Sequence, residues 1–182
     1  ADEEEAERLA PVQRAHENTY AQFPHAPVVG AWLDCFSKEV DRYPFLVIHG
    51  PSRTRKSEFA KSLFNNPLEL KIGTLAHFPE GMRAFNRKQH DAVVLDACRD
   101  FAFLVHHQEQ LQGKSDARVE FASTPGGQCS YVKWLHCVPI VVTANYTTAN
   151  RQLLDIDDFL GNRANRVLLA IDGPLQRPSD IR

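Results

Sequence analysis

Three apolar runs constrain this chain more than any other feature: FLVIH at 45–49, DAVVLDA at 91–97 and VPIVVTAN at 138–145. Each has the length of a strand and none alternates apolar with polar residues, so each reads as a strand buried on both faces. RVLLAI at 166–171 is a fourth. Segments with helical character lie between them: SEFAKSLFNN, FAFLVHHQEQLQ at 101–112 and RQLLDIDDFLGN, the last closed near Gly161. Buried strands alternating with helices imply an α/β fold with a mainly parallel central sheet covered on both faces. Strands 45–49, 92–96 and 139–143 are expected to be adjacent and parallel. The loop-rich stretch 113–137 holds two short strand candidates, VEFAS and SYVKWL.

Before the first run, Val28, Val29, Trp32, Leu33, Phe36 and Val40 recur at helical spacing, predicting a helix that Pro44 ends. Residues 1–26 are charged and helix-prone and read as an N-terminal helical arm, with one domain over 27–182. The acidic start, ADEEEAERLA, is not a signal peptide. No apolar run reaches the ~18 residues that span a bilayer. Four cysteines without a C-x-x-C pair imply reduced thiols and an intracellular setting, with nucleus, cytoplasm and organelle all open. His106, His107, Cys129, His136 and Cys137 fit no zinc-ligand spacing, and no metal role is assigned to them.

The first run leads directly into GPSRTRKS, residues 50–57. This segment matches the phosphate-loop pattern G-x-x-x-x-G-K-[ST] at Gly50, Lys56 and Ser57, but has Arg55 where the pattern has glycine. Main-chain N–H groups across Gly50, Pro51, Ser52, Arg53, Thr54, Arg55, Lys56 and Ser57 could cradle an anion at the start of a helix. Lys56 would reach the β- and γ-phosphates of ATP, and Ser57 would ligate Mg²⁺. Arg55 adds charge that favours phosphate and bulk that opposes its close approach. The second run ends in Asp96, in the place of a Mg²⁺-linked carboxylate. The next residue is Ala97 rather than an acid, and Asp100 could serve only if the chain turns back. Asn145 ends the third run at the mouth expected for such a sheet. Arg163 and Arg166 follow; either could act in trans as an arginine finger in a ring of copies.

In order and spacing, GPSRTRKS, VVLDA, PIVVTAN and NRANRV resemble the helicase domain of replication initiators from circular single-stranded DNA viruses. Those domains are superfamily 3 helicases within the AAA+ branch. GPSRT is similar to the loop of geminivirus-like initiators, and PVVGAWL…RYPFLVIHG to the approach to it. The similarity covers roughly residues 27 to 175. It implies a three-layer, AAA+-like P-loop NTPase that takes ATP and Mg²⁺. Lys56 and Ser57 would be the Walker A lysine and hydroxyl, Asp96 the first Walker B acid and Asn145 the γ-phosphate sensor. Lys133 would contact single-stranded DNA from a hairpin, and Arg163 or Arg166 would be the finger. The family's nicking domain would not fit within residues 1–26, so an excised helicase domain or a host-encoded derivative is expected.

Arg55 and Ala97 depart from the family at the catalytic apparatus, so weak or absent hydrolysis is expected. The leading expectation is a nucleotide-binding, helicase-like domain acting on single-stranded nucleic acid, in a homo-oligomeric ring or a larger assembly. The alternative is a degenerate P-loop domain with a scaffolding role and no hydrolysis. A small-molecule kinase would share the loop but leave Asn145 and the paired arginines unexplained. Lys plus Arg number 21 against 23 Asp plus Glu, so any nucleic-acid contact must come from a local patch such as Lys133 or RAFNRK at 83–88.

Overall fold

The computed structural model describes residues 27–71, 81–112, 119–122, 130–145, 147–173 and 175. The arm expected over 1–26 and residues 123–129 of the loop-rich stretch lie outside them. The described chain is an α/β structure around a five-stranded parallel sheet. Its strands are β1 (Phe45–Gly50), β2 (Pro67–Lys71), β3 (Ala92–Asp96), β6 (Ile140–Asn145) and β7 (Arg166–Ala170). Their order is β2-β3-β6-β1-β7. Every pairing is parallel, so β3, β6 and β1 are neighbours as expected. Strands β4 (Val119–Ala122) and β5 (Ser130–Lys133) form a separate antiparallel pair.

All residues of β1 and β3 are buried, and only Asn145 of β6 is exposed. The two-residue period sorts their side chains between two cores. Leu46, Ile48, Val94 and Val141 join one that includes Val29, Trp32 and Phe59. Phe45, Val47, Val93, Leu95 and Val142 join a larger one that includes Phe101, Phe103 and Leu154. Each fully buried Val, Leu or Phe stabilises the fold by ~1.5–3 kcal/mol. Helices α1 (Pro27–Asp34) and α2 (Lys56–Ser62) supply residues to the first core. Helices α3 (Ala102–His106), α4 (Gln108–Leu111) and α5 (Thr148–Ile156) supply the second.

The helix expected to run to Pro44 instead ends at Asp34, followed by a 3₁₀ turn over Cys35–Ser37. Aromatic packing turns the chain back there. Phe36 stacks on Tyr43 with ring centres 5.0 Å apart, and the Trp32 indole donates to the Pro44 carbonyl at 2.8 Å. Val40, with helical spacing in sequence, is left 38% exposed. The 101–112 helix divides at His107, and the helix expected at 151–162 occupies Thr148–Ile156. Thr147 caps this last helix, its hydroxyl accepting from the Asn150 N–H at 3.2 Å.

Strand β2 is an addition for which the sequence carried no signal. Pro67 begins it, where a missing N–H costs no ladder bond. The Asp91 carboxylate accepts from the N–H groups of Asn65 and Asn66, fixing the approach to β2 beside the start of β3. Lys61 on α2 pairs with Glu69 on β2. Among the described residues, no helix is long and apolar enough to cross a membrane.

Candidate functional site

The chain leaves β1 through α2 toward the β2 edge, and leaves β6 through α5 toward the β7 edge. The neighbours β1 and β6 therefore send their connections in opposite directions. This is a topological switch point, and a crevice opens beyond the carboxyl ends of the two strands. Loop residues 53–55, the start of α2, Asp96 and Ala97 at the end of β3 and the end of β6 line a cavity of about 160 Å³ there. That is below the ~300–1,000 Å³ of pockets that enclose a drug-sized ligand. It has room for phosphate groups rather than for a whole nucleotide.

Gly50 closes β1 where no other residue fits: a Cβ would lie 2.3 Å from Ile171 Cγ1 and 2.7 Å from its carbonyl oxygen. The chain after β7 backs the loop from that side. Ile171 N–H donates to the His49 carbonyl and Leu175 N–H to the Thr54 carbonyl, both at 2.9 Å. Within the loop, the Thr54 hydroxyl donates to the Pro51 carbonyl at 2.8 Å. Ser52 and Arg53 are exposed on the turn. Arg53 and Arg55 both take left-handed backbone conformations, with φ of 60° and 62°. Arg55 thus has the backbone for which glycine is suited, at a cost of ~1–2 kcal/mol for a residue with a Cβ.

Lys56 opens α2 and turns back beneath the loop, 7% exposed. Its ammonium donates to the carbonyls of Gly50 and Pro51, to Thr54 Oγ1 at 3.2 Å and to Asn145 Oδ1 at 3.0 Å. Four acceptors share three protons. Burial lowers its pKa below the usual lysine value, and the Asp96 carboxylate opposes that shift. Ser57 donates to Asp96 Oδ1. Two hydrogen-bonded pairs, Lys56 with Asn145 and Ser57 with Asp96, therefore line one cavity, with side chains from the start of α2 and the ends of β3 and β6. The hydroxyl and the carboxylate are adjacent hard oxygen donors. They suit Mg²⁺, which is held by one or two protein oxygens together with phosphates and water.

Ala97 lines the cavity, exposed and with φ of 53°. Asp100 does not substitute for an acid there. Its carboxylate accepts from the Ala102 N–H at 2.9 Å and caps the start of α3. Asn150, in the second TAN of the sequence, is structural. Buried in α5, it accepts from Phe101 N–H at 2.9 Å and donates to the Arg99 carbonyl at 3.2 Å.

Other sequence candidates lie elsewhere. Arg166 starts β7 opposite Phe45, at the far end of the sheet from the loop. It donates to the Leu160 and Leu154 carbonyls at 2.8 and 3.2 Å. Arg163 is exposed on the preceding turn. Lys133 on β5 lines an open groove of about 400 Å³ with Arg83, Arg87 and Trp134. Lys133 donates to the Phe85 carbonyl, and Arg87 to the Trp134 carbonyl at 3.3 Å, so RAFNRK and the hairpin form one basic wall. Trp134 is 49% exposed there.

Two residues of these sites escaped sequence reasoning. Nothing marked Trp134. Thr143 was read only as the end of the strand expected over 139–143; its hydroxyl donates to Asp96 Oδ1 at 2.9 Å. No protein-family model and no curated protein sequence matches the chain.

Proposed function

We propose that the chain is an ATP-binding P-loop domain of the three-layer, AAA+-like class, related to superfamily 3 replication helicases. The observation that carries this reading is the convergence of Lys56, Ser57, Asp96 and Asn145 at the switch point of a parallel sheet. Lys56 would exchange its loop carbonyls for β- and γ-phosphate oxygens, with the loop N–H groups and the start of α2 completing the cradle. Asn145 would then be free to bond the terminal phosphate. Ser57 and Asp96 would hold Mg²⁺, which would neutralise charge on the phosphates. The cavity is smaller than a whole nucleotide, so the loop and these side chains would serve the phosphates.

Hydrolysis is slow. Ala97 offers no carboxylate to orient water and Asp100 is engaged at α3, and loss of a positioned base typically lowers rate ~10²–10⁴-fold. The basic wall of Arg83, Arg87 and Lys133, with Trp134 for base stacking, supports single-stranded DNA as the polymer partner. If copies form a ring, the exposed Arg163 is better suited to reach a neighbour's phosphates than Arg166, whose guanidinium is held by its own chain. The second reading, a non-hydrolysing scaffold in a larger complex, is favoured by Ala97 and by the arginine at the loop's glycine position.

The experiment is equilibrium titration with labelled ATP and Mg²⁺, followed by turnover measurements on the same protein. Saturable binding with little turnover is expected. Failure to bind ATP would remove the nucleotide reading, and rapid turnover would remove the assignment of Ala97 as the missing acid.

A further inference from the structure

We propose that Thr143 is a positioning residue: it fixes the Asp96 carboxylate, and the turn that follows, for engagement of Mg²⁺-bound nucleotide. This rests on the nucleotide reading given above. Thr143 is 1% exposed, in the otherwise apolar part of β6. Valine has the same shape and would suit an apolar strand better. A hydroxyl in such a place is costly unless it is hydrogen-bonded.

Thr143 makes three bonds to one short segment. Its hydroxyl donates to Asp96 Oδ1 at 2.9 Å and accepts from the Ala97 N–H at 3.0 Å. Its carbonyl accepts from the Cys98 N–H at 2.9 Å. The Ala97 N–H can only donate, so the single hydroxyl proton of Thr143 must point to Asp96. The same carboxylate oxygen accepts from Ser57. The geometry therefore sets the orientation of the carboxylate from two sides, one on β6 and one on α2. It also holds Ala97 in its left-handed conformation, which persists only where the surroundings enforce it. Two residues further along the same strand face, Asn145 accepts from Lys56 at 3.0 Å. Strand β6 thus sets both the cation side and the carboxylate side of the site. Thr143 borders the cavity, but its hydroxyl proton is committed to Asp96, so it acts through that carboxylate.

The test compares the unmodified chain with Thr143→Val and Thr143→Ser. ATP affinity is measured with Mg²⁺ and with EDTA, and hydrogen exchange is followed at the Ala97 amide. In Thr143→Val the gain in ATP affinity from Mg²⁺ should shrink by ~10-fold or more, as when residues that orient metal ligands are removed. Affinity in EDTA should stay within about twofold, since Lys56 and the loop carry it. The Ala97 amide should exchange faster. Thr143→Ser keeps the hydroxyl and should restore both. Thr143→Ala provides the same readout if the valine variant misfolds. An undiminished Mg²⁺ gain in Thr143→Val and Thr143→Ala would overturn the proposal and leave nucleotide binding intact. The same conclusion follows if the unmodified chain binds ATP with no Mg²⁺ gain. An unmodified chain that binds no ATP in either buffer would overturn the nucleotide reading, and this role with it.

Discussion

Lys56 and Arg166 stand near opposite ends of strand β1, about 17 Å apart along a strand of this length. Both are cations that donate to main-chain carbonyls, and burial lowers the pKa of both. Their surroundings differ. Arg166 bridges the Leu154 and Leu160 carbonyls, at the end of α5 and in the turn after it, tying both to the start of β7. It acts as a staple. Lys56 spreads its protons over loop carbonyls, a threonine hydroxyl and Asn145, in a cavity that also holds Asp96. Its partners are replaceable by a ligand with stronger acceptors. Hydrogen bonding to carbonyls alone does not separate a structural cation from a functional one. On the function proposed above, the convergence of side chains from neighbouring strands does.

The largest effect expected from this contrast is on ligand binding. Lys56→Ala should weaken Mg²⁺-ATP binding ~30–150-fold, the worth of one charge-assisted contact of about 2–3 kcal/mol. Stability should fall as well, by about 1–3 kcal/mol, because the Gly50 and Pro51 carbonyls and Asn145 Oδ1 lose their donor. Arg166→Ala should lower unfolding free energy by about 2 kcal/mol in denaturant titration while ATP affinity is unchanged. If both variants lose stability alike and ATP affinity alike, the contrast fails.

Arg55→Gly is a finer probe of the loop. Relief of the left-handed arginine, ~1–2 kcal/mol, is partly offset by the greater freedom of glycine in the unfolded chain. A net gain of about 0.5–1 kcal/mol is expected, with tighter ATP binding. Weaker binding would identify the arginine as a phosphate ligand. The smallest effect concerns His49, beneath the loop at the end of β1. Burial holds its pKa below 6.5, with Arg151 and Lys56 adding to the effect and a hydrogen bond with the Asn145 backbone opposing it. The folded protein therefore binds this proton less well than the unfolded chain. Stability should fall as pH drops below about 6.5, by less than ~1.4 kcal/mol per pH unit from this residue, and level off below the folded-state pKa. His49→Gln should flatten that part of the stability–pH curve; an unchanged curve would show that the imidazole is not its source.

The loop end was more legible in sequence than the opposite end. Asp96 and Asn145 each end an apolar run, so the parallel sheet alone brings them together, and Lys56 showed through the loop pattern that follows the first run. Arg55 and Ala97 showed as departures from a pattern, but their left-handed backbones could not be read from residue type. Thr143 looked like part of a strand because its partners, Asp96 and Ala97, are 46–47 residues away. The basic groove was visible as two separate clusters, RAFNRK and Lys133; loop packing joined them through two main-chain carbonyls. β2 was missed since PLELK is short, begins with proline and has only Leu70 buried. The α1 boundary shifted because tertiary stacking of Phe36 on Tyr43 overrode helical spacing.

The most direct test of the central claim, that the loop end is a nucleotide phosphate site, is amide chemical-shift mapping of the whole chain during titration with Mg²⁺-ATP. Saturable shifts are expected at residues 52–57, at Ala97 and at Asn145, with none at Leu154, Leu160 or Arg166. Shifts confined to the groove around Lys133 and Trp134, or no saturable shift at the loop, would contradict it.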